Sequence, residues 1–283
     1  MKKILITGQN SYIGNKFAEW VSQWPDEYQI TKTSVRNDDW KNQNWGIYDV
    51  VLNVAGIAHQ RITKESESDY YKVNRDLAID LANKAKNDGV KHFIQISTMS
   101  VFGIDTGKID KNTPCNPINA YGKSKLEADS SIFKLKNDSF NITIVRPPMV
   151  YGPNCKGNYT SLKKLAKVIP FFPSFENKRS MIFIDNLSQF IMIIINKEIE
   201  GYMYPQNTHY VATKDMVKQI SKANNHSIIF VDVLNPIIAL LNVKIINKIF
   251  KDLIYDKSMS SLDLKYDTVD FVESIRLSEY EKK

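Results

Sequence analysis

A chain of 283 residues with 43% hydrophobic and 24% charged residues can bury a sizeable core and is too balanced to be disordered, collagen-like or a coiled coil. Its net charge of +7 is spread along the chain with no long basic run. That pattern argues against a nucleic-acid partner and suits an anionic ligand such as a dinucleotide or a nucleotide diphosphate. Two cysteines, Cys115 and Cys155, make neither a disulfide framework nor a zinc site, so no metal is expected.

Lys2 and Lys3 lead directly into the apolar run Ile4–Ile6, with no signal-like segment before it. Phe190–Ile195 is too short to cross a bilayer, and Pro236–Ile254 is broken by Asn242, Lys244, Asn247 and Lys248. The expectation is a cytoplasmic protein without a membrane span.

In chain order, residues 3–7 read as a strand ending at Gly8, and 13–23 as a helix with Phe17, Trp20 and Val21 on one face. Strands follow at 28–34 and 49–54, then a helix over 71–87. A buried strand at 93–96, a helix at 121–135 and a strand at 142–145 complete the pattern. Repeated strand–helix–strand units require crossover connections, hence a Rossmann-type, doubly wound parallel sheet covered by helices on both faces. Ligands of such sheets bind beyond the carboxyl ends of the strands. After residue 150, Pro-, Asn- and Gly-rich loops loosen the pattern. We expect an NAD(P)-binding domain over 1–150, and over 151–283 mainly a smaller C-terminal substrate-binding lobe, with some segments returning to the first domain.

The first strand–helix turn reads Thr7-Gly8-Gln9-Asn10-Ser11-Tyr12-Ile13-Gly14. A glycine there lets backbone approach a pyrophosphate, which the amides and positive end of the helix then receive. Gly8, Asn10, Ser11, Tyr12, Ile13 and Gly14 are the cofactor candidates, although Ser11 replaces the middle glycine of G-x-x-G-x-x-G. Folds that take NAD place an acid after the second strand for the ribose hydroxyl. Here Ser34 and Arg36 occupy that region and suit a 2′-phosphate, so NADP(H) is favoured over NAD(H).

Tyr121 and Lys125 lie one helical turn apart on one face. A neighbouring ammonium stabilises phenolate, which makes the tyrosine a proton donor or acceptor for a carbinol or carbonyl oxygen during hydride transfer. This spacing alone arises often by chance. It gains weight from Ser97-Thr98-Met99-Ser100 at the end of the preceding buried strand, where a hydroxyl can bond the reacting oxygen.

With Asn53-Val54-Ala55-Gly56, Tyr71–Asn74, Arg146-Pro147-Pro148-Met149-Val150-Tyr151-Gly152-Pro153 and the Arg179–Asp185 stretch, the chain resembles an extended short-chain dehydrogenase/reductase of the NAD-dependent epimerase/dehydratase family. The resemblance implies Thr98 as catalytic hydroxyl, Tyr121 as acid/base and Lys125 as its activator. It also implies Ala55, Gly56, Asn74 and Pro148 around the cofactor, and His59, Thr98, Ser100, Asn158 and Arg179 toward a nucleotide-sugar substrate. A 4,6-dehydratase needs an Asp-Glu pair after the threonine. Met99 and Ser100 stand there and cannot do that work. Residues 146–184 are similar to bacterial capsule and O-antigen enzymes. These imply NADPH-dependent reduction of a UDP-4-keto-6-deoxy-N-acetylhexosamine to UDP-N-acetyl-fucosamine or UDP-N-acetyl-quinovosamine for surface polysaccharide. An NAD-dependent UDP-hexose 4-epimerase and a non-catalytic NAD(P)-binding sensor are the alternatives. The family also suggests a homodimer.

Overall fold

The computed structural model describes residues 1–58, 64–233, 235–241, 243–260 and 265–280, leaving aside the side chains of 64–66, 237, 239, 244 and 245. In chain order the first half runs β1 (Lys2–Thr7), α1 (Tyr12–Val21), β2 (Tyr28–Thr33), β3 (Val50–Asn53), α2 (Lys64–Tyr71), α3 (Leu77–Asn87), β4 (His92–Ile96), β5 (Gly107–Ile109), α4 (Ala120–Phe133) and β6 (Asn141–Val145). The second half continues β7 (Met149–Tyr151), α5 (Asn158–Ala166), β8 (Phe171–Pro173), β9 (Met181–Phe183), α6 (Ile184–Lys197), β10 (Gly201–Met203), α7 (Thr213–Ala223) and β11 (Ile229–Val231). It ends with α8 (Asn235–Leu240), α9 (Lys244–Phe250), β12 (Leu253–Tyr255), α10 (Lys257–Ser260) and α11 (Phe271–Glu279).

The chain forms two compact units. The first comprises residues 1–103, 114–147 and 187–205, built on a six-stranded parallel sheet ordered β10-β6-β4-β3-β1-β2. From β1 the chain steps outward to β2, then crosses back to β3 on the other side and continues away. The order therefore reverses between β1 and β3, the position at which sheets of this type take ligands, beyond the carboxyl ends.

Alternation along β1 divides the core. Leu5 faces a cluster with Ala78, Leu81 and Ala85 of α3 and Ala128 and Ile132 of α4. Ile6 faces α1, where a Cβ at Gly14 would lie 2.8 Å from Ile6 Cγ2 and 2.9 Å from Val54 Cγ2. Trp20 Nε1 donates to Gln189 Oε1 (3.2 Å) and Tyr28 pairs with Asn196, so residues 187–197 share that side. The doubly wound α/β fold is thus as its hydrophobic pattern requires.

One row across the sheet is polar. Thr7 aligns with Asn53 and Asn53 with Gln95, all three wholly buried. Thr7 Oγ1 donates to Asn53 Oδ1 (2.5 Å), and Asn53 Nδ2 donates to Gln95 Oε1 (2.7 Å). Buried amides are costly without partners, and here each serves the next.

The second unit comprises residues 104–113, 148–186 and 206–283. It holds three two-stranded parallel pairs, β7 with β9, β8 with β11 and β5 with β12. Its helices α5, α7 and α11 pack on one another. Asn186 is a buried hub: its Oδ1 accepts from the amides of Thr268 and Val269 (both 3.0 Å), and its Nδ2 donates to Asn207 Oδ1 (3.1 Å). Among the described residues, no helix is long and apolar enough to cross a membrane, and no cluster of His, Cys, Asp or Glu could hold a metal.

Candidate active site

The turn between β1 and α1 lies at the reversal of strand order. Gly8 has φ 83°, and a Cβ there would sit 3.0 Å from the Cα and N of Ala55, at the end of β3. Only glycine relieves both the left-handed backbone and the crowding. Ser11 caps α1, its Oγ accepting from the Gly14 amide (3.4 Å). Tyr12 and Ile13 open the helix, while Asn10 stays exposed in the turn. A bare backbone cradle followed by a helix N-terminus fits a dinucleotide pyrophosphate. Beyond β2, Ser34 Oγ accepts from the Arg36 amide (3.4 Å), and Arg36 is exposed.

Beyond β3, Asn53 Oδ1 also accepts from the Ala55 amide (3.1 Å). Asn74 then clamps the backbone of Ile57, with Oδ1 accepting from its N–H (2.7 Å) and Nδ2 donating to its carbonyl (3.0 Å). Asn74 sits in a π-helical turn over Lys72–Asp76 that interrupts the helix read across 71–87. Wide turns of this kind recur at functional positions. The structure thus gives Asn74 the task of shaping the strand-end loop. His59 falls outside the described residues.

Ser97-Thr98 follows β4. Thr98 opens a 3₁₀ turn over Met99–Phe102, its Oγ1 accepting from the Ser100 amide (3.1 Å) and lying 3.3 Å from Ser100 Oγ. Asn119 caps α4 through the Gly122 amide (2.9 Å), which brings Tyr121 into its first turn. Gly122 is needed there, because a Cβ would meet Ser100 O at 2.7 Å. Thr98 lies near enough to Tyr121 for its hydroxyl to act on the phenol, and the Tyr70 ring meets Tyr121 edge-on at 6.1 Å. Thr98, Ser100, Tyr121 and Lys125 are therefore brought together by two elements of one unit.

Lys125 is 4% exposed, and its Nζ donates to Ile96 O at 2.5 Å. Burial pulls its pKa down to about 8, against an opposing influence from Asp129. Burial pushes the Tyr121 phenol above its ordinary 10, and the Thr98 hydroxyl acts in the other direction. The expected lowering of the phenol by Lys125 is not among the influences on it while the ammonium is held on the Ile96 carbonyl.

Sequence reading missed the charges beneath this pair. Asp129, a further turn along α4, is wholly buried and accepts from Ser97 Oγ (2.7 Å) and Arg146 Nε (2.9 Å). The Arg146 guanidinium stacks on the Tyr202 ring at 4.4 Å and donates from Nη1 to Cys115 Sγ (3.4 Å). Extending the Tyr121–Lys125 spacing by four residues would have revealed Asp129.

The remaining candidates lie in the second unit. Pro148 is buried, and Asn158 is exposed as the first residue of α5. Arg179 exchanges backbone bonds with Val211 (3.0 and 3.1 Å), and its Nη1 donates to Lys251 O (3.1 Å). Burial lowers its pKa.

A glycine cradle at the switch point of a parallel sheet, with a tyrosine, a lysine and a strand-end hydroxyl nearby, is an arrangement suited to a nicotinamide dinucleotide. A family model described as "NAD dependent epimerase/dehydratase family" matches residues 4–204. The chain belongs to that family, is an enzyme, and carries an NAD(P)-binding fold.

It is 32% identical over 254 residues to a UDP-glucose 4-epimerase of Vibrio cholerae, covering 78% of this chain and 76% of the relative. It is 27% identical over 218 residues to an N-acetyl-alpha-D-glucosaminyl-diphospho-ditrans,octacis-undecaprenol 4-epimerase of Escherichia coli O157:H7, covering 70% and 65%. The fold is also that of UDP-glucuronic acid 4-epimerase from Bacillus cereus in complex with NAD, with TM-score 0.74, 18% identity and coverage of 98% and 97%. It is likewise shared with dTDP-4-dehydrorhamnose reductase from Bacillus anthracis in complex with NADP, with TM-score 0.67, 22% identity and coverage of 82% and 84%.

Proposed function

We propose that the protein reduces a UDP-4-keto-6-deoxy-N-acetylhexosamine with NADPH, giving UDP-N-acetyl-fucosamine or UDP-N-acetyl-quinovosamine for surface polysaccharide. The observation that carries this reading is the meeting of Thr98 and Tyr121 at the end of β4, with Lys125 one turn behind. When bound, the cofactor supplies a hydride to the sugar's C4. Thr98 and Tyr121 hold the C4 oxygen by hydrogen bonds, and Tyr121 donates the proton that converts it to a hydroxyl. With a cofactor bound, Lys125 would turn from the Ile96 carbonyl toward its ribose, where its charge would support the phenolate. The Gly8 turn and the start of α1 receive the pyrophosphate, with Ser11 fixing the helix start. Ser34 and Arg36 take the 2′-phosphate. Asn158 and Arg179 contact the nucleotide diphosphate, for which a guanidinium fork is apt. Because Met99 and Ser100 follow Thr98, elimination of water has no acid/base pair.

The relationship to the Vibrio cholerae 4-epimerase favours a second reading, in which tightly held NAD takes hydride from C4 and returns it to the opposite face. One experiment separates the two. The purified protein is given UDP-4-keto-6-deoxy-N-acetylglucosamine with NADPH while absorbance and product are followed. Stoichiometric NADPH loss with a single C4 product supports the reductase, with Arg36→Glu weakening NADPH about tenfold and leaving NADH unchanged. Interconversion of UDP-hexoses with no added cofactor supports the epimerase and overturns the first reading.

A further inference from the structure

Twelve large apolar residues of the described chain are exposed, and seven of them fall within residues 168–171 and 229–243 of the second unit. Such concentration is unlike the scatter of single apolar residues on an ordinary surface. Phe171 and Ile229 stand opposite each other in the β8–β11 pair, 57% and 59% exposed. Val233 (76%) and Leu240 (86%) continue the patch, followed by Leu241 and Val243.

These segments form one structural neighbourhood. Ser174, just after β8, bonds Asp232, and Asn235 Nδ2 donates to Ser174 Oγ (3.0 Å). Phe250 at the end of α9 packs on Phe172 at 5.5 Å and Phe175 at 6.2 Å. The rings of Phe172, Phe175 and Phe250 hold the segment, and Phe171 and the aliphatic side chains remain outside.

The surrounding charge is mainly positive. Residues 229–252 contain Lys244, Lys248 and Lys251 against Asp232 and Asp252, and Asp232 is taken up by Ser174. Residues 156–178 contain five lysines and a single acid, Glu176. Lys163 pairs with Glu279 (3.1 Å), while Lys156, Lys164, Lys178 and Lys248 are exposed.

We propose that this patch docks the protein on a bilayer surface rich in anionic lipid headgroups, the aliphatic side chains entering the headgroup boundary and the lysines meeting lipid phosphates. The composition selects this occupant. Protein interfaces favour aromatic residues and arginine and are poor in lysine, whereas the patch has a single aromatic, Phe171, among valine, leucine and isoleucine, and the neighbouring segments carry lysine and no arginine but Arg179. Lysine stems lie along apolar surface while their heads reach phosphates, the pattern of interfacial anchors. A second copy is disfavoured, because a two-fold contact would set these lysines against themselves in a chain of net charge +7. The inference goes beyond the proposed reaction and does not depend on it.

The test is co-sedimentation of the full chain with vesicles of phosphatidylcholine and phosphatidylglycerol in equal parts, and of phosphatidylcholine alone. The chain should bind the mixed vesicles at least about tenfold more tightly, with raised salt weakening that binding. Lys248→Glu should cost about fivefold or more, and Leu240→Glu with Leu241→Glu about tenfold or more, with the thermal midpoint and cofactor affinity unchanged in each. Failure to bind mixed vesicles, or variants that bind as the wild type does, overturns the proposal. So does sedimentation velocity showing a wild-type dimer that the leucine double variant dissociates, which would assign the patch to a second copy.

Discussion

Replacing Asp129 with asparagine removes a buried charge while preserving side-chain size. Arg146, itself 4% exposed, then loses the carboxylate 2.9 Å from its Nε. Deleting one partner of a buried ion pair destabilises a fold by about 3–5 kcal/mol. Lys125 is affected as well. Its pKa falls from 10.5 in the unfolded chain to about 8 through burial, with Asp129 as the influence that raises it. Because the folded value lies below the unfolded one, protonating Lys125 opposes folding. The penalty is absent above the unfolded value and complete below about 8, where it reaches about 3 kcal/mol. Asp129→Asn deepens it by lowering the folded value further. Urea unfolding at neutral and at alkaline pH should therefore show a larger loss at neutral pH, where Lys125 is charged. The alkaline limb of the kcat/KM profile should move toward acid, as the ammonium is lost earlier. A stability loss below about 1 kcal/mol together with an unmoved profile would refute this electrostatic reasoning.

Two further predictions concern stability and packing. His92 is 2% exposed, with Nε2 2.7 Å from Thr143 Oγ1, and burial lowers its pKa from 6.5 to about 4. Protonation therefore opposes folding as pH drops below 6.5. Denaturant unfolding should show about 2 kcal/mol lost between pH 7 and pH 5 that His92→Gln removes, and equal acid sensitivity in both proteins would contradict it. Gly14→Ala sets a methyl against Ile6 and Val54 at under 3 Å, so α1 must shift from the sheet. Calorimetry should record a loss of about 1–3 kcal/mol and at least tenfold weaker cofactor binding; an unchanged cofactor affinity would refute the close-packing role.

The core strands were legible because each is an apolar run that parallel pairing buries on both faces: Ile4–Ile6, Val50–Leu52, Phe93–Ile94 and Ile142–Val145. Tyr121 and Lys125 were legible because helical spacing is local. The polar row Thr7–Asn53–Gln95 was not, because its bonds join residues 42 and 46 positions apart. Arg146 stood in a recognisable Arg-Pro-Pro run, but its partner Asp129 is 17 residues away on another element. The π-helical turn at Lys72–Asp76 leaves helical periodicity nearly intact and so escaped notice. The pairing of β5 with β12 joins residues 107–109 to 253–255, and neither three-residue run carries an alternation long enough to read.

The central claim is that the Tyr121 phenol performs proton transfer at a cofactor-dependent centre. Tyr121→Phe removes one oxygen and leaves the ring that packs on Tyr70. Cofactor titration and turnover, measured on the same preparation, should show unchanged dinucleotide affinity and a kcat reduced by about 10³-fold. Turnover within about tenfold of the wild type would contradict the account.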